Sequence, residues 1–320
     1  MSGRVGLVWH ERFAGRGFVP RRASWSRYAL ALASFGDAGF FGQGLSVYEA
    51  LVASNDELAT VHTPDYLAFL HEVDARGAGL VDGRQTPAYR GMLHRAALAV
   101  GGTVLASRLV TSGRVAHAFN PAGGLHHAHP ERASGFCILN DIGVAIRDLR
   151  ARGVRRIAVL DVDAHHGDGT QAIFWTEDVL VASLHEHGAR FFPGTGAIDE
   201  TGAGAGLGFT LNLPLARATS DDAFLRALDG ALERLRAYRP DVILVQFGTD
   251  GHADDPFSHL ALTDAAYVAI AERAHALAHE LCGGALVLLG GGGYVPETVA
   301  RVWTAALATL GSFRILAHDA

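Results

Sequence analysis

Arg156-Ile157-Ala158-Val159-Leu160-Asp161-Val162-Asp163-Ala164-His165-His166-Gly167-Asp168-Gly169 is the stretch that decides how this chain is organised. Its first part, Arg156 to Val162, is a short apolar run, too brief for a helix and without polar alternation. It reads as a strand buried on both faces, the kind found in a parallel sheet covered by helices. On an extended backbone Asp161, Asp163 and His165 share one side, so two carboxylates and an imidazole converge where the strand ends. A turn or a helix cap at Asp168-Gly169 would explain one such residue. Three ionisable groups leaving so hydrophobic a strand ask for more, because burying them unpaired costs several kcal/mol or forces neutralisation. The pattern is that of a metal site.

The same grammar repeats along the chain. Further buried strands are predicted at Val5 to Trp9, Arg114 to Phe119, Val179 to Leu184, Val242 to Phe247 and Ala285 to Leu289. Apolar residues at three- and four-residue spacing predict helices over Tyr89 to Leu109, Asp141 to Arg150, Asp221 to Tyr238, Thr263 to Leu281 and Pro296 to Leu310. Ser220 and Thr263 stand where capping oxygens are expected, and Pro296 suits a first turn. Strand-helix alternation throughout, with no Pro/Ser-rich linker, repeat or charge block, gives an α/β fold and one domain over residues 1–320. Long loops follow several strands, at Asn120 to Ser134, His185 to Gly208 and Gly248 to Leu262, which is where sites sit in open α/β sheets.

Composition narrows the function. In 320 residues, 49% are hydrophobic and 19% charged, enough to bury a core without disulfide or metal staples. Lys+Arg 27 against Asp+Glu 33 leaves a formal charge of −6, which disfavours direct nucleic-acid or anionic-membrane partners. No apolar run is long enough to span a bilayer, and Met1-Ser2-Gly3-Arg4 opens no signal-like segment, so a soluble, cytoplasmic protein is expected. Cys137 and Cys282, far apart in sequence, suit a reducing compartment.

Three more clusters complete the constellation. The strand Val242 to Phe247 runs into Gly248-Thr249-Asp250-Gly251-His252 and delivers another carboxylate. With Asp163 and His165 it would form an Asp, His, Asp ligand set with open coordination positions, as a hydrolytic ion needs; zinc or another divalent ion fits. Gly123-Gly124-Leu125-His126-His127-Ala128-His129 offers imidazoles able to take a proton from water and return one to a leaving amine, with Asp161 and Asp168 free to orient them. His129 reads as a loop-surface residue. Leu289-Gly290-Gly291-Gly292-Gly293-Tyr294 lacks the Gly-Lys-Ser/Thr of a phosphate loop. It could instead present Tyr294 to a developing oxyanion.

Together with Ala133-Ser134-Gly135-Phe136-Cys137-Ile138-Leu139-Asn140-Asp141, Phe191-Phe192-Pro193-Gly194-Thr195-Gly196 and Gln246-Phe247-Gly248-Thr249-Asp250, these segments resemble the histone deacetylase superfamily. The likeness runs in order from roughly Val19 to Trp303 and is nearest to the class I and bacterial acetoin-utilisation-type branches. It implies an arginase/deacetylase-like eight-stranded parallel sheet flanked by helices on both faces. It implies zinc, with Fe2+ or another divalent ion as alternatives, on Asp163, His165 and Asp250. His127 would be the general base and acid, His126 a mainly electrostatic partner, and Asp168 and Asp161 their respective orienting groups. Tyr294 would polarise the acyl carbonyl. Phe136 and Phe192 would wall an acyl-lysine tunnel, with Gly135 accepting the substrate amide. Potassium is implied at Asp161, Asp163, His165, Ser183 and Leu184, with Phe174 in the segment of a second site.

The chain also departs from the family. Gln85, before Thr86-Pro87, replaces the rim carboxylate that grips a peptide backbone, and Phe257 stands where polyamine-selective members carry an acidic gatekeeper. Val19-Pro20-Arg21-Arg22-Ala23 resembles the segment whose second arginine lines an internal acetate channel. The implied activity is zinc-dependent removal of a short acyl group from acyl-lysine or a lysine-like amine. Acetylpolyamines or other small amides are the alternative substrates, and a non-catalytic acyl-ligand or partner-binding regulator is the alternative of another class.

Overall fold

The computed structural model describes residues 4–14, 23–188 and 190–316, so the Val19 to Arg22 segment lies outside the described residues. Eight strands are present: β1 (Val5–Trp9), β2 (Leu45–Glu49), β3 (His117–Asn120), β4 (Ile157–Asp161), β5 (Leu180–Glu186), β6 (Thr210–Leu215), β7 (Val242–Gln246) and β8 (Leu286–Leu289). Every pairing is parallel, in the order β2-β1-β3-β8-β7-β4-β5-β6. From β3 to β5 every strand residue is buried, which is why these segments are uninterrupted apolar runs.

The six expected strands are all present, with ends displaced by up to three residues; the second begins at His117, not Arg114. Periodicity did not reveal β2 and β6, the two edges of the sheet. In β2, Leu45 is buried while Ser46, Val47 and Glu49 are exposed, and β6 carries Pro214. Edge strands have one unpaired side, so they lack a continuous apolar signature and tolerate proline.

The helices are α1 (Ala23–Asp37), α2 (Phe40–Gln43), α3 (Asn55–Leu58), α4 (Pro64–Arg76), α5 (Met92–Thr111), α6 (Asp141–Ala151), α7 (Asp168–Phe174), α8 (Asp221–Tyr238), α9 (Asp264–Cys282) and α10 (Pro296–Gly311). The five expected helices are α5, α6, α8, α9 and α10. One packed group runs α1-α10-α9-α8 and the other joins α4, α5 and α6; both rest on the central strands, hence on opposite faces. Ser220 and Thr263 occupy N-cap positions but cap nothing with their side chains. The Thr263 hydroxyl and amide instead donate to the Asp221 carboxylate, at 2.5 and 2.9 Å, clipping the two helix starts together.

Strand register sets the site. Asn120, Leu289, Gln246 and Asp161, the last residues of four neighbouring strands, lie side by side, and Ser183 in the middle of β5 continues the row. The residues that follow this row emerge together on one edge.

Candidate active site

Asp163 and His165 follow β4, and Asp250 follows the adjacent β7. All three are buried, and one ligand atom from each lies within 4.8 Å of the others. His165 Nδ1 is 2.9 Å from Asp250 Oδ2 and 3.3 Å from Asp163 Oδ1. The unused oxygens are held: Gln246 Nε2 and the Gly292 amide donate to Asp163 Oδ2 at 2.8 and 2.9 Å, and the Ala164 amide donates to Asp250 Oδ1 at 3.0 Å. Glycines make room. A Cβ at Gly248 would lie 2.0 Å from Asp163 Oδ2, and one at Gly292 would lie 2.2 Å from Asp250 Oδ2.

The electrostatics fit a divalent cation. Burial raises the Asp250 carboxyl, and the negative charge of Asp163 adds to the rise. Burial works against charge on Asp163 too, but the imidazoles of His126 and His165 hold it well below the usual carboxylate range. His165 resists its own burial and is raised to about 10 by Asp250 and Asp163. Two carboxylates and an imidazole in a dry pocket leave negative charge that a divalent ion would neutralise, and their mutual spacing suits ligands of one ion.

The loop after β3 brings in the imidazoles. Asp141, fully buried, accepts from the Gly124 and Leu125 amides at 2.9 and 2.6 Å and so pins this loop to the start of α6. His126 Nδ1 meets Asp161 Oδ2 at 2.7 Å, and His127 Nδ1 meets Asp168 Oδ1 at 2.7 Å. The two Nε2 atoms are 3.0 Å apart, so one donates and the other accepts. Burial alone would lower His126, but Asp161 and Asp163 raise it to about 9. Burial lowers His127 to about 4, with the charge of His126 adding to the fall. The shared proton therefore belongs to His126, and His127 is the acceptor. His129 is not a surface residue: it is buried, and its Nε2 lies 2.9 Å from Asp168 Oδ2 and 2.7 Å from Arg132 Nη2. Both oxygens of Asp168 are thus engaged.

Aromatic residues frame the mouth. Phe192 lies edge-on to His127 at 4.9 Å, and Phe136 lies 6.4 Å from Tyr294. Gly135, at φ 53°, passes so close to His127 that a Cβ would lie 2.3 Å from its ring. Phe257, exposed at the rim, packs on Tyr294 at 4.1 Å. Gln85 is exposed on the loop folded around Asp82, whose carboxylate accepts three backbone amides and the Thr86 hydroxyl. Ser183 and Leu184 are buried in β5, and Phe174 is buried at the end of α7.

Several contributors went unread in the sequence. Phe191 stacks flat on His165 at 5.0 Å, and Asp255 accepts the Tyr294 amide at 2.6 Å. Arg27, buried on α1, donates to the carbonyls of Gly293 and Gly291 at 2.7 and 3.0 Å. The cavity of about 110 Å³ that holds Asp163, His165, Asp250, His126, His127 and Tyr294 is also lined by Arg27 and Arg95. Phe191 stands in the Phe191 to Gly196 segment but carried no role there, and no local pattern marks Arg27, Arg95 or Asp255, because each acts across a long sequence separation.

Comparison with known proteins agrees with this geometry. Residues 21–310 match the Histone deacetylase domain. Acetoin utilization protein AcuC of Bacillus subtilis (strain 168) is 45% identical over 269 residues, 79% of this chain and 69% of that protein. A "Probable deacetylase" of Archaeoglobus fulgidus is 36% identical over 300 residues, 92% of this chain and 82% of that protein. The crystal structure of the HDA15 HD domain superposes with a TM-score of 0.88 at 28% identity, covering 96% of this chain and 89% of that one. A match over nearly the whole chain, with a sheet and strand-end cluster of this kind, makes the protein a member of the histone deacetylase family, in its acetoin-utilisation-like branch.

Proposed function

We propose that the protein is a metal-dependent amidohydrolase that removes an acetyl or similarly short acyl group from the side-chain amine of lysine or a lysine-like compound. One observation carries the reading: Asp163, His165 and Asp250 converge beside two His–carboxylate pairs, His126–Asp161 and His127–Asp168. A divalent ion on those three residues, zinc by the donor set or Fe2+ in its place, would supply Lewis acidity toward the acyl carbonyl and a water molecule.

The chain's own groups supply the rest. His127, neutral at physiological pH and with Nδ1–H held by Asp168, gives up the hydrogen bond that its Nε2 accepts from His126, takes the proton from water at that nitrogen and passes it to the leaving amine. His126, charged beside Asp161, lends positive field to the same reaction. Burial keeps the Tyr294 phenol protonated, so it donates to the carbonyl oxygen as negative charge grows there. Phe136 and Phe192 give a slender apolar stem a surface to lie on, and the Gly135 carbonyl is available to a substrate amide. The guanidinium of Arg27, in the same cavity, suits a carboxylate product. Potassium would be held at Asp161, Asp163, His165, Ser183 and Leu184, where Asp161 and Ser183 are register partners, and near Phe174.

Phe257 leaves no carboxylate at that rim position for the distal ammonium of a polyamine, and Asp82 is turned to its own loop. The test is a panel of acetyl-lysine peptides, blocked acetyl-lysine, N-acetylputrescine and N8-acetylspermidine, with and without chelator. Acetyl-lysine should give the highest kcat/KM, with chelator-sensitive turnover and little gain from longer peptides. Preference for an acetylpolyamine would overturn the substrate, and absence of any turnover with metal bound would favour the non-catalytic regulator.

A further inference from the structure

At the amino-terminal edge of the sheet, opposite the catalytic edge, three further histidines meet. His117 is the first residue of β3 and is fully buried; His275 and His279 lie one turn apart on α9, half-buried and exposed respectively. Their ring centroids are 4.7, 5.1 and 4.6 Å apart, with interplanar angles of 80, 81 and 83°. One nitrogen from each lies within 4.8 Å of the others, and His117 Nε2 is 3.2 Å from His279 Nε2. Two imidazole ligands on one tetrahedral zinc, at 2.0–2.1 Å from it, would have nitrogens about 3.3 Å apart.

The protein alone satisfies this trio poorly. One N–H···N bond can join only two of the rings. His117 Nδ1, buried, makes no well-formed hydrogen bond among the described residues, only a loose approach to the Gly284 backbone. No carboxylate forms an ion pair with any of the three among the described residues, and burial pushes His117 and His275 away from the charged form. The surroundings suit a cation. His279 lies in the last turn of α9, where the helix dipole is negative, and the chain then turns through Gly283 and Gly284. A Cβ at Gly284 would lie 2.9 Å from the His279 ring, so the glycine leaves the rings their space.

We infer that His117, His275 and His279 form a second metal site, for zinc or a similar borderline divalent ion, that clips the start of β3 to the end of α9. Its fourth position opens to solvent beside His279. From His117 to the end of β3 is three residues, roughly 10 Å at about 3.3 Å per residue, so this centre is separate from the catalytic one. It stands whether or not the proposed acyl-lysine chemistry is correct.

The experiment compares the wild-type protein with the His275→Ala/His279→Ala double variant; both positions reach solvent, and alanine suits a helix. After dialysis against Zn2+ and removal of free ion, wild type should retain one equivalent more than the variant. Excess Zn2+ should raise the Tm of wild type more than that of the variant, which keeps only the Asp163, His165 and Asp250 site, and the two should deacetylate equally well. The single His279→Gln variant, tested with circular dichroism as the control for folding, should also lack the extra equivalent. Equal zinc content in wild type and a folded variant would overturn the site, as would an equal Tm response to Zn2+.

Discussion

At Asp163 and Asp250 the chain accepts two carboxylates, both fully buried, within reach of one imidazole, an arrangement unfavourable without a cation. Asp163→Ala or Asp250→Ala should therefore lose the catalytic metal together with activity, measured as metal content after gel filtration and counted apart from the histidine trio. Stoichiometric metal in that site of Asp250→Ala would remove it from the ligand set. The two adjacent histidines should behave differently. His127 accepts in the His126–His127 contact and is lowered to about 4, so His127→Ala should cost more turnover than His126→Ala, within the ~10²–10⁴-fold range of acid-base losses. The reverse ranking would exchange their roles. Asp168→Asn should keep the metal and lower turnover by ~10–100-fold, since its carboxylate orients both His127 and His129. Unchanged turnover would refute that function.

Helix α5 shows how an element can contradict its own propensity. Gly101 sits in mid-helix, where alanine would ordinarily be better by about 1 kcal/mol. Yet a Cβ there would lie 1.8 Å from the Leu51 carbonyl oxygen, and the Ala53 amide donates to the Ala97 carbonyl of the same helix at 2.9 Å. The incoming chain cannot retreat without breaking that bond, and overpacking of this kind costs ~1–3 kcal/mol. Gly101→Ala should lower the urea midpoint despite its gain in helicity; a more stable variant would mean that the 51–53 segment is free to move. The consequence reaches the site, because the next glycine, Gly102, packs on Asn120, whose amide donates to Ala99 and Thr103 of α5 at the end of β3.

Across the whole molecule, buried neutral histidines tie the site to the stability of the fold. His62 Nδ1–H donates to the His129 carbonyl at 3.1 Å, and its Nε2 accepts the Asn140 amide at 3.0 Å, joining the loop after β3 to the start of α6. Burial lowers its pKa from 6.5 to about 4. A group depressed on folding contributes stability that is complete above pH 6.5 and is lost as pH falls toward 4. Urea melts should show a shallower loss over that window in His62→Gln than in wild type; parallel curves would show that His62 does not titrate with unfolding. What was legible without coordinates follows the same division between local and global. Arg156 to Val162 announced a buried parallel strand because a strand covered on both faces must be apolar at every position, and the carboxylates and imidazoles beyond it stood out as too polar for such a setting. The half-exposed edges β2 and β6 carried no such signature. Residue types at the strand ends were enough to propose Asp163, His165 and Asp250 as a set, but the partnership of Asp255 with Tyr294, the burial of His129 and the meeting of His117 with His275 and His279 were not written locally. Those depend on strand order and register, which are chosen by the packing of the whole sheet, and only the tertiary structure decides them.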